Sequence, residues 1–163
     1  MQKFIRIMAI IAAALAGLSL VLLLITIPFQ RSISSIFFNS PDIAMSTLPQ
    51  FPLLPFIFGV LRLSCMALLT ICCGNKKGGI WLELIIFACL VFVLPGLSRI
   101  LSPLFTQILY STKGSDYIMA NNLVSNIANY CMIPAGWGQA LAYAACGMSV
   151  VFKKMSRYSE NRN

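Results

Sequence analysis

The sequence predicts an all-α integral membrane protein, a single-domain four-transmembrane-helix bundle. Two observations carry that expectation. Of 163 residues, 59% are hydrophobic and 10% are charged, whereas a soluble domain carries about a quarter charged residues. The apolar residues also gather into four long windows with short polar segments between them. Four acidic residues and no histidine cannot clothe a water-facing surface. That excludes a soluble enzyme, a disordered chain and a nucleic-acid-binding domain, the last needing a basic folded face with aromatic platforms.

A helix crosses the hydrocarbon core with roughly 20 mainly apolar residues. The first window, residues 7–27, lies between Arg6 and Pro28. Lys3 and Arg6 precede it and Ala14-Leu15-Ala16 resembles a signal-peptide cleavage site. Its apolar run outlasts the about 7–15 residues of a signal, so the expectation is a retained signal-anchor helix. Beyond Pro28, Ile33, Ile36 and Phe37 fall at helical spacing with Arg31, Ser34 and Ser35 between them. That pattern suits a short amphipathic helix in an outer loop.

The second window, residues 53–73, is framed by Pro49, Pro52 and Pro55 and by the basic turn Gly74 to Gly79 with Lys76 and Lys77. The third, residues 80–101, is expected to stop at Ser102-Pro103, an N-cap and first-turn pair. Leu104, Phe105, Ile108 and Leu109 would then form a second amphipathic outer-loop helix. The fourth, residues 123–152, begins polar with Asn122, Ser125, Asn126 and Asn129 and is interrupted by Pro134 and Gly136-Trp137-Gly138. Proline inside a helix removes a hydrogen bond and bends the axis, so this span is expected to be kinked.

Helices associate in lipid through small residues that let backbones approach. Ala9, Ala13 and Gly17 make such a ridge on the first span, and Gly136, Ala140 and Ala144 make one on the fourth. Asn122, Asn126 and Asn129 continue the fourth span's sector and are helix-packing candidates. These ridges predict contact between the first and fourth spans, or a dimer. Orientation follows the lysines and arginines. Lys3, Arg6, Lys76, Lys77, Lys153, Lys154, Arg157 and Arg162 fall on one side, and Arg31, Arg99 and Lys113 on the other. The expectation is a plasma (cytoplasmic) membrane protein with both termini cytoplasmic and its basic side against anionic lipid.

Arg62 lies near the middle of the second span, about 16 Å from Cys73 by helix rise. An arginine there costs roughly 2.5–3.5 kcal/mol on insertion scales, which the surrounding leucines, isoleucines and phenylalanines offset at about 0.3–0.6 kcal/mol each. It should therefore face the bundle or a wet cavity. Gln139 and Tyr143 on the fourth span bracket it in depth and are its expected partners. Either Arg62 ties two spans together, or its guanidinium binds an anion or lipid headgroup. Glu83, near the inner end of the third span, is expected to pair with Lys76 and Lys77.

Chemistry beyond binding has few parts here. Cys65, Cys72, Cys73, Cys89, Cys131 and Cys146 form no Cys-x-x-Cys pair, and with histidine absent no zinc or thioredoxin-like ligand set exists. There is no nucleophile with a histidine base and no phosphate-cradling glycine loop. The sequence predicts no enzyme, no metal and no cofactor. Its partners are membrane lipids and, through the small-residue faces, a protein or a second copy. The function expected is a non-catalytic accessory, assembly or partner-binding module. The alternative is a small oligomeric transporter or channel built around Arg62.

Overall fold

The computed structural model describes residues 1–37, 53–73, 79–113 and 125–160, and among these the chain is helical with no strand. Helix α1 spans Gln2–Phe37 and α2 spans Leu53–Cys73. A third rod consists of α3, Ile80–Ala88, a π-helical turn at Cys89–Val93, and α4, Leu94–Lys113. Residues 125–131 are helical, Met132 makes a turn, and α5 runs over Ile133–Glu160. Among the described residues, three helices are long and apolar enough to cross a membrane: Gln2–Thr26, Leu53–Cys73 and Ile80–Phe105. Helix α5 is not among them, because Pro134, Gly136, Gly138, Gln139 and Tyr143 dilute its apolar character.

Residue size sorts in the opposite sense to a soluble core. The buried set is rich in alanine and cysteine: Ala9, Ala12, Ala16, Ala128, Ala135, Ala142, Ala145, Cys72, Cys73, Cys131 and Cys146. Many large residues face outward, with Phe4, Ile10, Leu18, Ile57, Leu68, Ile71, Phe92 and Ile100 all exposed, while Ile5, Leu23, Met66, Leu69 and Leu90 are buried among the small ones. Such an exterior aggregates in water and is at home in lipid, where close backbone packing replaces the hydrophobic driving force. Hydroxyls on these helices satisfy themselves locally. Ser64 Oγ donates to the Val60 carbonyl (2.9 Å), Thr70 Oγ1 to Ala67 (2.7 Å) and Thr26 Oγ1 to Leu23 (2.8 Å).

Helix α1 is the hub, packed along α5 on one side and α2 on the other. Pairing of the first and last helices matches the expectation; on α1 the packed face keeps Ala9, with Ala13 and Gly17 half-buried at its edge, and on α5 it is a different face. Ala9, Ala12, Ala16 and Ser19 of α1 are buried, and Ala135, Gly138, Ala142 and Ala145 of α5 are buried opposite. Gly136, Ala140 and Ala144 point outward and are exposed. Gly138 marks the closest approach, since a Cβ there would stand 2.7 Å from the Ala12 carbonyl oxygen. At Gly136 and Gly147 it would meet nothing within 4 Å.

Two expected chain breaks do not occur. Helix α1 continues through Pro28 to Phe37, so the amphipathic segment with Ile33 and Ile36 belongs to α1 and is not a separate loop helix. Likewise α4 continues through Pro103 to Lys113, joining the expected second loop helix to the third span. Each proline removes one N–H, and helices surrounded by lipid tolerate that better than they tolerate exposing further backbone.

Candidate functional site

Helix α5 shares polar contacts with other helices at three levels. At its start, Pro134 has no N–H, and the ladder restarts with Gly136 N–H donating to Met132 (3.2 Å). The Ala135 N–H, an orphan of the first turn, donates to Ser19 Oγ of α1 at 2.8 Å in a buried site. A side chain on one helix thus caps the start of another, supplying the acceptor that an N-cap residue ordinarily would.

One level further along, the π-turn leaves a carbonyl free. Leu94 N–H donates to the Cys89 carbonyl, five residues back. In that register the Leu90 carbonyl awaits the N–H of residue 95, which is proline and has none. Helix α5 supplies the missing donors: Gln139 Nε2 donates to the Leu90 oxygen at 3.0 Å and the Tyr143 hydroxyl at 3.2 Å. Gln139 Nε2 also hydrogen-bonds the Tyr143 oxygen. The Tyr143 ring is fixed edge-on against Phe87, centroids 5.3 Å apart. Wide turns of this kind occur where a backbone group is handed to another partner.

The third level is a buried ion pair. Glu83 of α3 is 0% exposed and Lys153 of α5 is 6% exposed, with Lys153 Nζ 2.8 Å from Glu83 Oε1. Ser149 Oγ donates to the same oxygen at 2.8 Å. Lys153 Nζ also donates to the Cys72 carbonyl at the end of α2 (3.2 Å), and Cys146 Sγ contacts the Glu83 carbonyl at 3.6 Å. One ammonium therefore joins the ends of α2, α3 and α5. Glu83 Oε2 is buried and has no hydrogen-bond partner among the described residues. The partner expected from sequence, Lys76 or Lys77, lies outside the described residues, and Lys153 holds the carboxylate instead.

Arg62 is half-buried on α2. It follows buried Gly59 by three residues and precedes buried Met66 by four, so it lies on the bundle-facing side of its helix. Tyr143 is within electrostatic reach, and one turn on, Cys65 is within reach of Cys89 in the π-turn. Among the described residues Arg62 has no hydrogen bond or ion pair. Gln139 and Tyr143, its expected partners, are engaged with Leu90. Asn126 and Asn129 lie exposed on residues 125–131, and Asn122 lies outside the described residues. Sequence reasoning missed Ser19, Ser149, Lys153 and the Leu90 carbonyl. Pro95 was the available signal for the last.

No group of three or more histidine, cysteine, aspartate or glutamate side chains among the described residues can hold a metal ion. The chain matches no family model, no curated protein and no solved structure.

Proposed function

We propose that the chain is a four-span membrane protein, the fourth span being residues 125–152 with a bend at Met132 and Pro134. Both termini are cytoplasmic in a plasma (cytoplasmic) membrane. It acts as a non-catalytic accessory or assembly subunit that binds a partner within the bilayer. One observation carries this reading. Among the described residues, Ser19 of α1 accepts from the start of α5, and Gln139, Ser149 and Lys153 of α5 bond across to the π-turn and α3, which suits a packed scaffold. The lysine-rich and arginine-rich segments favour the orientation. The alanine-lined core supports a rigid body that presents its outer faces.

A transporter reading draws on one specific feature, the buried Glu83 Oε2 with no partner among the described residues, since intramembrane carboxylates mark proton and ion paths. Native mass spectrometry of the protein gently extracted from its own membrane separates the two. A stoichiometric second polypeptide is the expected result. A monomer or homo-oligomer that moves solute alone in liposomes overturns the accessory reading.

A further inference from the structure

Arg62 is the one charged group of α2, and the rest of that helix is apolar or carries hydroxyls and thiols. Its Cα lies within about 2 Å of the midpoint of Leu53–Cys73 by helix rise. Headgroups begin roughly 15 Å from the midplane, beyond the reach of an arginine side chain snorkelling from that depth. Yet the residue stays half-open at the convergence of α2, α5 and the π-turn. A guanidinium has five N–H donors, and among the described residues none is used. Its complement must be an acceptor, preferably an anion, delivered at mid-depth on an apolar body.

We infer that this half-open face docks a transmembrane helix of a different protein, whose mid-span aspartate or glutamate pairs with Arg62. The inference rests on the partner-binding reading above and names the partner's chemistry. Charge complementarity selects the occupant. A second copy of this chain has nothing to offer at that depth. Its acidic residues are Asp42, Glu83, Asp116 and Glu160. Asp42 and Asp116 fall outside the apolar windows of the sequence and outside the described residues, and Glu160 ends α5. Glu83 lies about 4.5 Å from the start of α3 by helix rise and is already bound by Lys153. Carboxylate and guanidinium meet in a bidentate geometry that an ammonium lacks, so lysine substitutes only in part.

The test uses the full chain, dye-labelled at its N-terminus and reconstituted in phosphatidylcholine vesicles. Acceptor-labelled poly-leucine transmembrane peptides carry aspartate, leucine or lysine at the central position, or aspartate displaced by two turns. The expected result is that the central-aspartate peptide associates about tenfold more tightly than the leucine peptide, a gap on the scale of one strong intramembrane polar contact. The displaced aspartate and the lysine peptide should lose that advantage. Arg62→Gln should abolish it, and Arg62→Lys should retain part of it with the same helicity and melting behaviour. Equal binding of the aspartate and leucine peptides by the wild-type chain overturns the inference, as does an aspartate preference that survives Arg62→Gln. A second polypeptide that still co-purifies with Arg62→Gln at full stoichiometry overturns the role of Arg62 while leaving the accessory reading standing.

Discussion

Replacing Lys153 with methionine should be among the most damaging single changes on α5. The ammonium is 6% exposed, the carboxylate 0%, and they are 2.8 Å apart. Methionine keeps most of the side-chain volume, so the loss is electrostatic and not a cavity. Glu83 then keeps an uncompensated buried charge, at a cost of about 3–5 kcal/mol for a broken buried pair. Ser149 remains bonded to Oε1 but supplies no charge. The double variant Glu83→Leu/Lys153→Met should recover most of the loss, because replacing both partners by apolar groups is near neutral or stabilising. Reversible unfolding of the four proteins of this cycle in mixed micelles of mild detergent and dodecyl sulfate, followed by circular dichroism, measures the effect. Wild-type stability in Lys153→Met, or a double variant no better than the single, would refute the reasoning.

Three further outcomes follow from the helix contacts. Gly138→Ala sets a Cβ against the Ala12 carbonyl and should cost about 1–3 kcal/mol by overpacking; Gly136→Ala and Gly147→Ala in the same unfolding assay should be neutral or slightly stabilising. Ser19→Ala leaves the buried Ala135 N–H without its acceptor and should cost about 1–3 kcal/mol, with faster amide exchange at Ala135 as the local signature. Pro95→Ala restores an N–H within reach of the Leu90 carbonyl, so Gln139→Leu should cost less in that background than in the wild type, a difference a double-mutant cycle reads directly.

Helix pairing was more legible in the sequence than helix faces. Long apolar windows mark the three rods because each must satisfy its backbone internally in lipid, and alanine and glycine density marks α1 and α5 as neighbours. The choice of face was not legible. Small residues occur all round both helices, and only the approach of Gly138 to Ala12 distinguishes the stripe that packs. The Lys153 partner of Glu83 was hidden for a related reason. Lys76 and Lys77 are near in sequence and lie outside the described residues, whereas Lys153 follows the last apolar residue of the fourth window and meets Glu83 across the bundle. Pro28 and Pro103 were overread as stops, whereas Pro95, which creates the free Leu90 carbonyl, was not read at all.

These polar contacts explain how α5 can belong in the bundle without being strongly apolar. Its Gln139, Tyr143, Ser149 and Lys153 would each oppose burial in hydrocarbon if the helix stood alone. Each instead meets a group that is itself in need: a carbonyl freed by Pro95, a buried carboxylate, the end of α2. Ser19 does the same in reverse for the start of α5. The needs are reciprocal between α5 and the third rod, yet the third rod, like α1 and α2, is apolar enough to cross lipid while α5 is not. That asymmetry implies an order of assembly in which α5 docks last onto the three apolar rods. Truncation before residue 125 should accordingly leave α1 and α2 inserted, but expose Glu83 and the Leu90 carbonyl and destabilise the third rod. Protease protection of each span in the truncated chain tests this. Full protection and unchanged stability of residues 80–105 without α5 would show that the polar contacts decorate the bundle and do not hold it.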